Sequence, residues 1–231
     1  MYIFLKFDKL DSVFSVFLLK NEMNFLNFQK IVKDYPIFSI QDLKLFFPGE
    51  NLYTLHTQIS DWAKQNKIIK IKNGSYILSE IYTKQKVLSE LIAAKLYSPS
   101  YISLEYALSI YGIIPAAVFT ITSVTTKATR NFFSPIGNFK YRKIKAKCFE
   151  GFVSKKEAKL TYYIAIVEKA LVDFLYLNRN KFKAEFQTWQ DLRLQNLQSI
   201  NFQKIYKFAK NFDNHKLLEL TINLKNYAKS N

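Results

Sequence analysis

Cysteine and histidine are scarce in this sequence. Its 231 residues include one cysteine, Cys148, and two histidines, His56 and His215. A single cysteine excludes an internal disulfide and a thiolate metal cluster, and two histidines far apart in the chain argue against a histidine metal site. The cations around Cys148 favour a lowered thiol pKa. With no histidine near it in sequence, however, we interpret this residue as an ordinary thiol rather than a nucleophile.

Glycine and proline are also few, and the common catalytic motifs are missing. Five glycines and five prolines exclude a collagen-like or linker-like chain. The sequence has no GxxxxGK[ST], GxGxxG, HExxH or GxSxG motif. Because 49% of the residues are apolar and 16% are aromatic, the chain can build a core. We expect one large or two small folded domains, no cofactor, no bound metal and no enzymatic activity.

Acidic residues are the third deficit. There are 18 Asp and Glu against 34 Lys and Arg, which gives a formal net charge of +16. An A+T-rich genome also encodes many lysines, so the distribution of charge is more informative than its total. Between Glu105 and Glu150 the chain has seven cations and no acid. One-sided charge of this kind suits a polyanionic partner.

Long apolar runs are missing as well. The longest in the first 23 residues is Val16–Leu19, which is too short to span a bilayer, and charged residues interrupt the rest. No small-residue cleavage site follows, so we expect no signal peptide, no membrane partner and a cytoplasmic protein. Regular helical patterning begins just after Met23, which leads to the hypothesis that translation starts there rather than at Met1.

Residues 24–82 have the element order of a winged helix-turn-helix domain. Apolar spacing predicts a first helix from Phe25 that ends near Pro36. Ser39, with Asp42 three residues on, has the pattern of a capping box and predicts a second helix. A third helix is predicted after Asn51, with an apolar stripe that includes Leu52, Leu55, Ile59 and Trp62.

The third helix and a following hairpin carry the candidate DNA-binding residues. Alternating residues around Asn73-Gly74 predict the hairpin, and in a winged helix the helix before the hairpin lies in the major groove. Thr and Gln can bond base edges, whereas Tyr and Lys can reach phosphates. The net charge of +2 is modest for a DNA reader, and some winged helices bind proteins instead. The predicted DNA contacts are Tyr53, Thr54, Thr57, Gln58, Lys64, Lys70, Lys72 and Asn73.

The sequence pattern of residues 83–231 predicts a second domain with both helices and strands. Two helical stretches, 83–97 and 103–112, precede a β-branched and aromatic stretch from Ala117 to Thr126. Strand-like alternation continues through residues 139–149, so we expect a small antiparallel sheet. The pattern of residues 161–177 predicts an apolar helix whose charges lie at its border or pair with nearby cations, and amphipathic helices follow. The predicted fold class is α+β: an N-terminal winged helix-turn-helix, then a mixed α+β domain with a small antiparallel sheet and C-terminal helices.

Cations recur at nearly every second residue of 139–149, which places them on roughly one face of a strand. That face is either a surface for phosphates, for RNA or for an acidic partner, or a solvated face whose lysines protect a sheet edge from aggregation. The sequence leaves both interpretations open. The candidate basic-surface residues are Lys127, Arg130, Lys140, Arg142, Lys143 and Lys145.

The second domain contains a series of short motifs: Ser100-Tyr101-Ile102-Ser103, Ala107-Leu108, Tyr111-Gly112, Glu168-Lys169-Ala170-Leu171 and Asp173. These motifs, in this order after a winged helix, resemble the AbiEi-type antitoxins of bacterial abortive-infection systems, a type IV toxin–antitoxin class. The resemblance covers roughly residues 24–180. At Ile166-Val167 the sequence departs from the family, which often has Thr-Pro before the glutamate.

The resemblance implies a DNA-binding transcriptional regulator that represses its own operon, often through inverted repeats in double-stranded DNA. It also implies an antitoxin whose C-terminal domain neutralises a cognate nucleotidyltransferase toxin, and it leaves open whether the two proteins touch. The residues alone lead to a winged helix and a basic α+β domain without visible catalysis. The alternative is a protein- or RNA-binding adaptor whose winged helix recognises no operator. An enzyme that uses Glu168 and Lys169 is a more distant alternative.

Overall fold

The structure is a computed structural model that describes residues 23–35, 37–83, 88–157 and 160–230. The chain divides into two compact units between residues 87 and 88. The domain boundary predicted from the sequence, between residues 82 and 83, lies five residues earlier. Each unit combines helices with a β-sheet, so the fold is mixed α+β. The predictions about a signal peptide concern residues 1–22, which lie outside the described residues.

The described residues of the first unit form three α-helices and a three-stranded sheet. Its elements are α1 (Phe25–Val32), β1 (Phe38–Ser39), α2 (Ile40–Phe46), α3 (Leu52–Lys64), β2 (Ile68–Lys72) and β3 (Ser75–Leu78). The sheet is antiparallel with the order β1-β3-β2. The three predicted helices and the predicted hairpin are present. The sequence does not predict β1, because two residues are too few to show the alternation of a strand.

The predicted capping box begins α2. The backbone N–H of Ser39 donates to Asp42 Oδ2 at 2.7 Å, and the backbone N–H of Asp42 donates to Ser39 Oγ at 3.2 Å. These bonds satisfy donors that the start of a helix leaves without partners, and loss of such a cap typically costs about 1 kcal/mol. Ser39 is also the last residue of β1, so the box fixes where the strand ends and the helix begins.

The second unit contains a six-stranded sheet and six described helices. No helix in the described ranges of the chain is long and apolar enough to cross a bilayer. The elements are α4 (Ser89–Leu96), β4 (Ser100–Ile102), α5 (Leu104–Ile110), β5 (Ile121–Thr125), β6 (Arg130–Ser134), β7 (Gly137–Lys143), β8 (Phe152–Glu157), β9 (Leu160–Ala165), α6 (Val167–Asn178), α7 (Phe186–Leu192), α8 (Phe202–Asn211) and α9 (His215–Ser230).

The sheet of the second unit differs from the small antiparallel sheet that the sequence predicts. Its order is β6-β7-β5-β4-β9-β8. β4 runs parallel to β9 and β5 runs parallel to β7, whereas the other neighbouring pairs are antiparallel. Local alternation identifies a strand but not its partners. The strand β4 also follows Ser98-Pro99, which has the pattern of a helix break, so its contribution to the sheet is not visible in the sequence.

Residues 161–177 are not one helix, so the prediction for this stretch is wrong in its first part. Leu160–Ala165 form β9, and α6 begins at Val167. The stretch before Val167 is rich in aromatic and β-branched residues, which favour strands. Periodicity alone does not distinguish a buried strand from a buried helix. Here the residues before Val167 form a strand.

The helix α6 carries a buried polar network. Its charges do not lie at the border, but Asp173 pairs with the nearby cation Lys169, which is the other predicted placement. Glu168 is 7% exposed, and Lys169 and Asp173 are fully buried. One carboxylate oxygen of Asp173 contacts the Lys169 ammonium. The other accepts hydrogen bonds from the hydroxyls of Tyr101 and Ser103, each at 2.9 Å. The network therefore joins β4 and the residue before α5 to α6.

Burial controls the protonation and the packing of this network. It raises the pKa of the Asp173 carboxyl, whereas the Lys169 ammonium and the two hydroxyl donors act against that rise. Burial and the Asp173 carboxylate raise the pKa of Tyr101, so its phenol stays protonated and donates. Gly151 has a left-handed φ of +73°, and a Cβ there would lie 2.9 Å from Lys169 Cγ. Glycine at this position therefore leaves room for the lysine stem.

We expect Asp173→Ala to lower the free energy of unfolding of the second unit by about 3–5 kcal/mol, because the Lys169 ammonium stays buried without its partner. Replacing both groups, with Lys169→Met and Asp173→Leu, should be less damaging than the single change. The measurement is urea unfolding followed by Trp189 fluorescence in a Trp62→Phe background. A double variant that is no more stable than Asp173→Ala would contradict this role of the unpaired charge.

Candidate nucleic-acid interface

The helix α3 has one side against the core of the first unit and the other side exposed. Its first turn is capped by Asn51, whose Oδ1 accepts a hydrogen bond from the Thr54 backbone N–H at 2.8 Å. Leu55, Ile59 and Trp62 follow with spacings of four and three residues and are all buried. This spacing fixes the rotation of α3 about its own axis and leaves the opposite side to solvent.

The exposed side of α3 is mainly polar, and we name it the polar face. Tyr53 is 82% exposed and stands near the start of the helix. Asp61 and Lys64 form an exposed ion pair at 3.5 Å. Such a pair contributes little to stability, so Lys64 can exchange it for a stronger anion. The polar face consists of Tyr53, His56, Thr57, Ser60, Asp61 and Lys64, all of them exposed.

Two of the predicted contacts on α3 are less accessible than the sequence suggests. Thr54 and Gln58 are half-buried at the border of the polar face. The Thr54 hydroxyl donates to Asn51 Oδ1 at 3.1 Å. The side-chain Oε1 of Gln58 is buried and has no hydrogen-bond partner among the described residues. Of the predicted set on this helix, Tyr53, Thr57 and Lys64 lie on the polar face.

His56 and Ser60 lie on the polar face but are missing from the predicted contacts. They are three and seven residues after Tyr53, and residues at these spacings share one side of a helix. That spacing is the sequence signal that identifies them. The Thr57 hydroxyl between them donates to the Tyr53 carbonyl oxygen at 3.0 Å. With its proton committed, Thr57 offers a partner an acceptor oxygen and a methyl group.

The hairpin of β2 and β3 presents the remaining predicted contacts of the first unit. Lys70 and Asn73 are exposed, and Lys72 is half-buried. Lys70 pairs with Tyr76 across the hairpin, and a shift in register follows before Lys72 pairs with Ser75. The turn needs a left-handed residue, which Gly74 supplies with φ of +73°.

The six cations of the predicted basic surface do not share one face of the sheet. Asn131 lies opposite Lys140, and Arg130 lies opposite Tyr141. Because opposite residues of an antiparallel pair project to the same side, Lys140 and Arg130 project to different sides. Arg142 is on the side of Lys140, two residues on. Lys140 and Arg142 therefore share one face of β7, as the alternation predicts. Arg130 and Lys143 lie on the other side, because a one-residue step along a strand reverses the side.

Several of these cations are also engaged within the second unit. Arg142 Nη2 donates to the Leu177 carbonyl oxygen at 3.3 Å, and Lys145 Nζ donates to that of Phe212 at 2.6 Å. The Lys127 ammonium donates to the Ser98 carbonyl oxygen. Strand β7 ends at Lys143, so Lys145 lies beyond the sheet. The exposed members of the set are Lys127, Arg130, Lys140, Lys143 and Lys145.

Cys148 does not have the properties of an activated nucleophile. Its side chain is buried, and Sγ lies 3.2 Å from the Asn211 carbonyl oxygen as a hydrogen-bond donor. Burial raises the pKa of the thiol, although nearby lysines act in the opposite direction. The expectation of a lowered thiol pKa, which the neighbouring cations favour, is therefore wrong, because the effect of burial is larger. Within the described ranges, no group of three or more His, Cys, Asp or Glu side chains is placed to hold a metal ion.

No protein-family model matches the chain, and no curated protein matches it. The arguments about function therefore rest on the polar face of α3, on the hairpin beside it, and on the motifs that the sequence itself contains.

Gly74→Ala should open the hairpin more readily, because a left-handed alanine costs about 1 kcal/mol. No atom lies within 4 Å of a Cβ built at this position, so the strain comes from the backbone alone. Amide hydrogen exchange across β2 and β3 should be about fivefold faster. Gly74→Asn is the matched control, since asparagine tolerates this conformation better. Equal exchange rates for the two variants would count against backbone strain as the cause.

Proposed function

We propose that residues 24–82 are a winged helix-turn-helix domain and that the chain is a DNA-binding repressor of its own operon. The observation that carries the proposal is the exposed polar face of α3, directly before an antiparallel hairpin. The order α1, β1, α2, α3, β2, β3 is the order expected of a winged helix, with α3 as the recognition helix. The N-terminal capping, the buried stripe and the exposed face of α3 are all consistent with this role.

The chemistry of the polar face supports contact with a DNA groove. The major groove is about 12 Å wide and admits one α-helix. Thr57 and Ser60 can bond base edges near the middle of α3, and Lys64 can reach a phosphate at its end. The exposed hairpin residues Lys70 and Asn73 would contact the adjacent backbone. A two-fold related pair of such domains would suit an operator made of inverted repeats.

We further propose that the chain is an antitoxin that counteracts a cognate nucleotidyltransferase toxin. This part rests on the resemblance to AbiEi-type antitoxins. Two separate pieces of that resemblance meet in the second unit, since Tyr101 and Ser103 donate to Asp173 beside Lys169. Sequence segments about 70 residues apart thus form one buried network. Their contact supports a shared fold for this unit, and it assigns these residues to the scaffold rather than to a surface that meets the toxin.

Binding to the DNA upstream of the chain's own reading frame tests the repressor. We expect selective binding over a scrambled duplex, with affinity that falls steeply between about 50 and 200 mM salt as counterions are released. Fluorescence anisotropy with labelled duplexes measures both effects. Equal and weak binding to the two duplexes would refute operator recognition and would favour a protein- or RNA-binding adaptor.

Variants on α3 locate the binding surface. Thr57→Ala with Ser60→Ala should reduce the preference for the operator by about 1–3 kcal/mol per lost base contact. Lys64→Ala should weaken binding to both duplexes and lower the salt slope by about one. Lys30→Ala, the same substitution on α1, is the matched control and should change neither the affinity nor the salt slope. If Lys30→Ala and Lys64→Ala behave alike, the polar face is not the surface that binds.

Replacing the exposed lysines of β7 tests whether the second unit also touches DNA. Lys140→Ala with Lys143→Ala should lower affinity for every sequence and reduce the salt slope. Lys155→Ala with Lys156→Ala on β8 removes the same charge from an exposed strand elsewhere and serves as the control. Anisotropy titrations over a range of salt concentrations give the slopes. An unchanged slope in the β7 variant would exclude these lysines from the DNA interface.

A further inference from the structure

A groove lies between the last two helices of the second unit. Residues 212–214 join α8 to α9, and the two helices pack side by side. The groove has a volume of about 430 Å³. Ile205 and Thr221 are buried along it, whereas Tyr206 and Ile222 also line it and are 42% and 52% exposed.

The exposed apolar side chains Tyr206 and Ile222 line the same groove. Single exposed apolar residues are common and need no explanation. Here an aromatic residue of α8 and an aliphatic residue of α9 border the same concave surface. A concave surface with apolar side chains and a few polar groups is the usual form of a binding site.

Two lysines lie at the groove. Lys225 lines it, and Lys210 Nζ lies 4.8 Å from the ring centroid of Tyr206. Among the described residues, none of those that line the groove carries a carboxylate. Residues 202–230 contain six lysines against two acids. One of these acids, Asp213, already contacts the Lys147 ammonium. An occupant with negative charge at its edges would complement this surface.

We infer that the groove binds an acidic amphipathic helix of a partner protein. Apolar side chains spaced as i, i+3, i+4 and i+7 would enter between Tyr206 and Ile222. Carboxylates beside them would meet Lys210 and Lys225. A third helix suits the space between two packed helices, because helix ridges fit helix grooves. The site lies within the second unit and does not depend on DNA binding by the first.

A protein suits this groove better than a nucleic acid does. Single-stranded nucleic acids bind where bases stack on successive aromatic rings along a basic track. The groove offers the rings of Tyr206 and of Phe202, which is half-buried, and both lie on α8. On the α9 side lies Ile222, which can neither stack on a base nor donate to a phosphate. An aliphatic side chain in this position pairs best with another aliphatic side chain.

The test measures binding of labelled helical peptides to the full chain by fluorescence anisotropy. The first peptide, of about 18 residues and so about 27 Å long, has leucines on one side and glutamates on the other. The second has glutamines in place of the glutamates, and the third has the composition of the first in scrambled order. We expect the first to bind at least about tenfold more tightly than either control, since it alone combines an apolar stripe with negative charge.

Matched variants separate the groove from the general positive charge of the chain. Ile222→Asp and Lys210→Glu should each weaken the acidic helix at least about tenfold. Lys204→Glu makes the same charge change on the opposite side of α8 and should weaken it less than about twofold. All three positions are exposed, and circular dichroism checks that the helices persist.

Three outcomes would overturn the inference. The scrambled peptide could bind as tightly as the amphipathic one, or Lys204→Glu could weaken binding as much as Lys210→Glu. The third outcome is displacement of the peptide by a single-stranded oligonucleotide whose own binding is lost in Ile222→Asp, because the groove would then be a nucleic-acid site. Operator binding by Ile222→Asp should stay unchanged, so a failure of this inference is distinguishable from a failure of the DNA proposal.

Discussion

A buried carboxylate must find hydrogen-bond donors, and in the second unit Asp173 finds them on different segments of the chain. Its own helix supplies the Lys169 ammonium, β4 supplies the Tyr101 hydroxyl, and the residue before α5 supplies the Ser103 hydroxyl. Leaving such a group without its partners would cost several kcal/mol. The position of α6 relative to β4 is therefore restricted by polar geometry as well as by apolar packing.

The same constraint explains a strained residue at the start of α5. Leu104 is buried with φ of +61°, a conformation that costs a non-glycine residue about 1 kcal/mol. The residue before it is held on three sides: the Ser103 hydroxyl donates to Asp173, its N–H donates to the Thr122 carbonyl oxygen, and its own carbonyl accepts from the Thr122 hydroxyl. Strain of this kind persists only where surrounding bonds over-determine the backbone, and here they do.

Short-range patterns predict the first unit better than the second. The Ser39–Asp42 capping box and the Asn73-Gly74 hairpin are complete within a few residues, so the sequence contains all the information that they need. The pairing of β5 with β7 depends on distant partners. The burial of Lys169 depends on the rings of Tyr101 and Phe212, over which its ammonium lies, and these come from other segments. At the candidate site the same limit applies: helical spacing identifies His56 and Ser60, but the burial of Gln58 depends on the core that α3 packs against.

The buried thiol of Cys148 gives the folded chain a practical property. It is the only cysteine in the sequence, its side chain is buried, and its thiol is protonated and bonded to a carbonyl oxygen. Oxidants and maleimides react with accessible thiolates, so the native protein offers them no target. A cysteine introduced at an exposed position would be the single site for a fluorophore or a spin label, without prior removal of a native residue. Reaction at Cys148 itself would then report the moments at which the second unit opens.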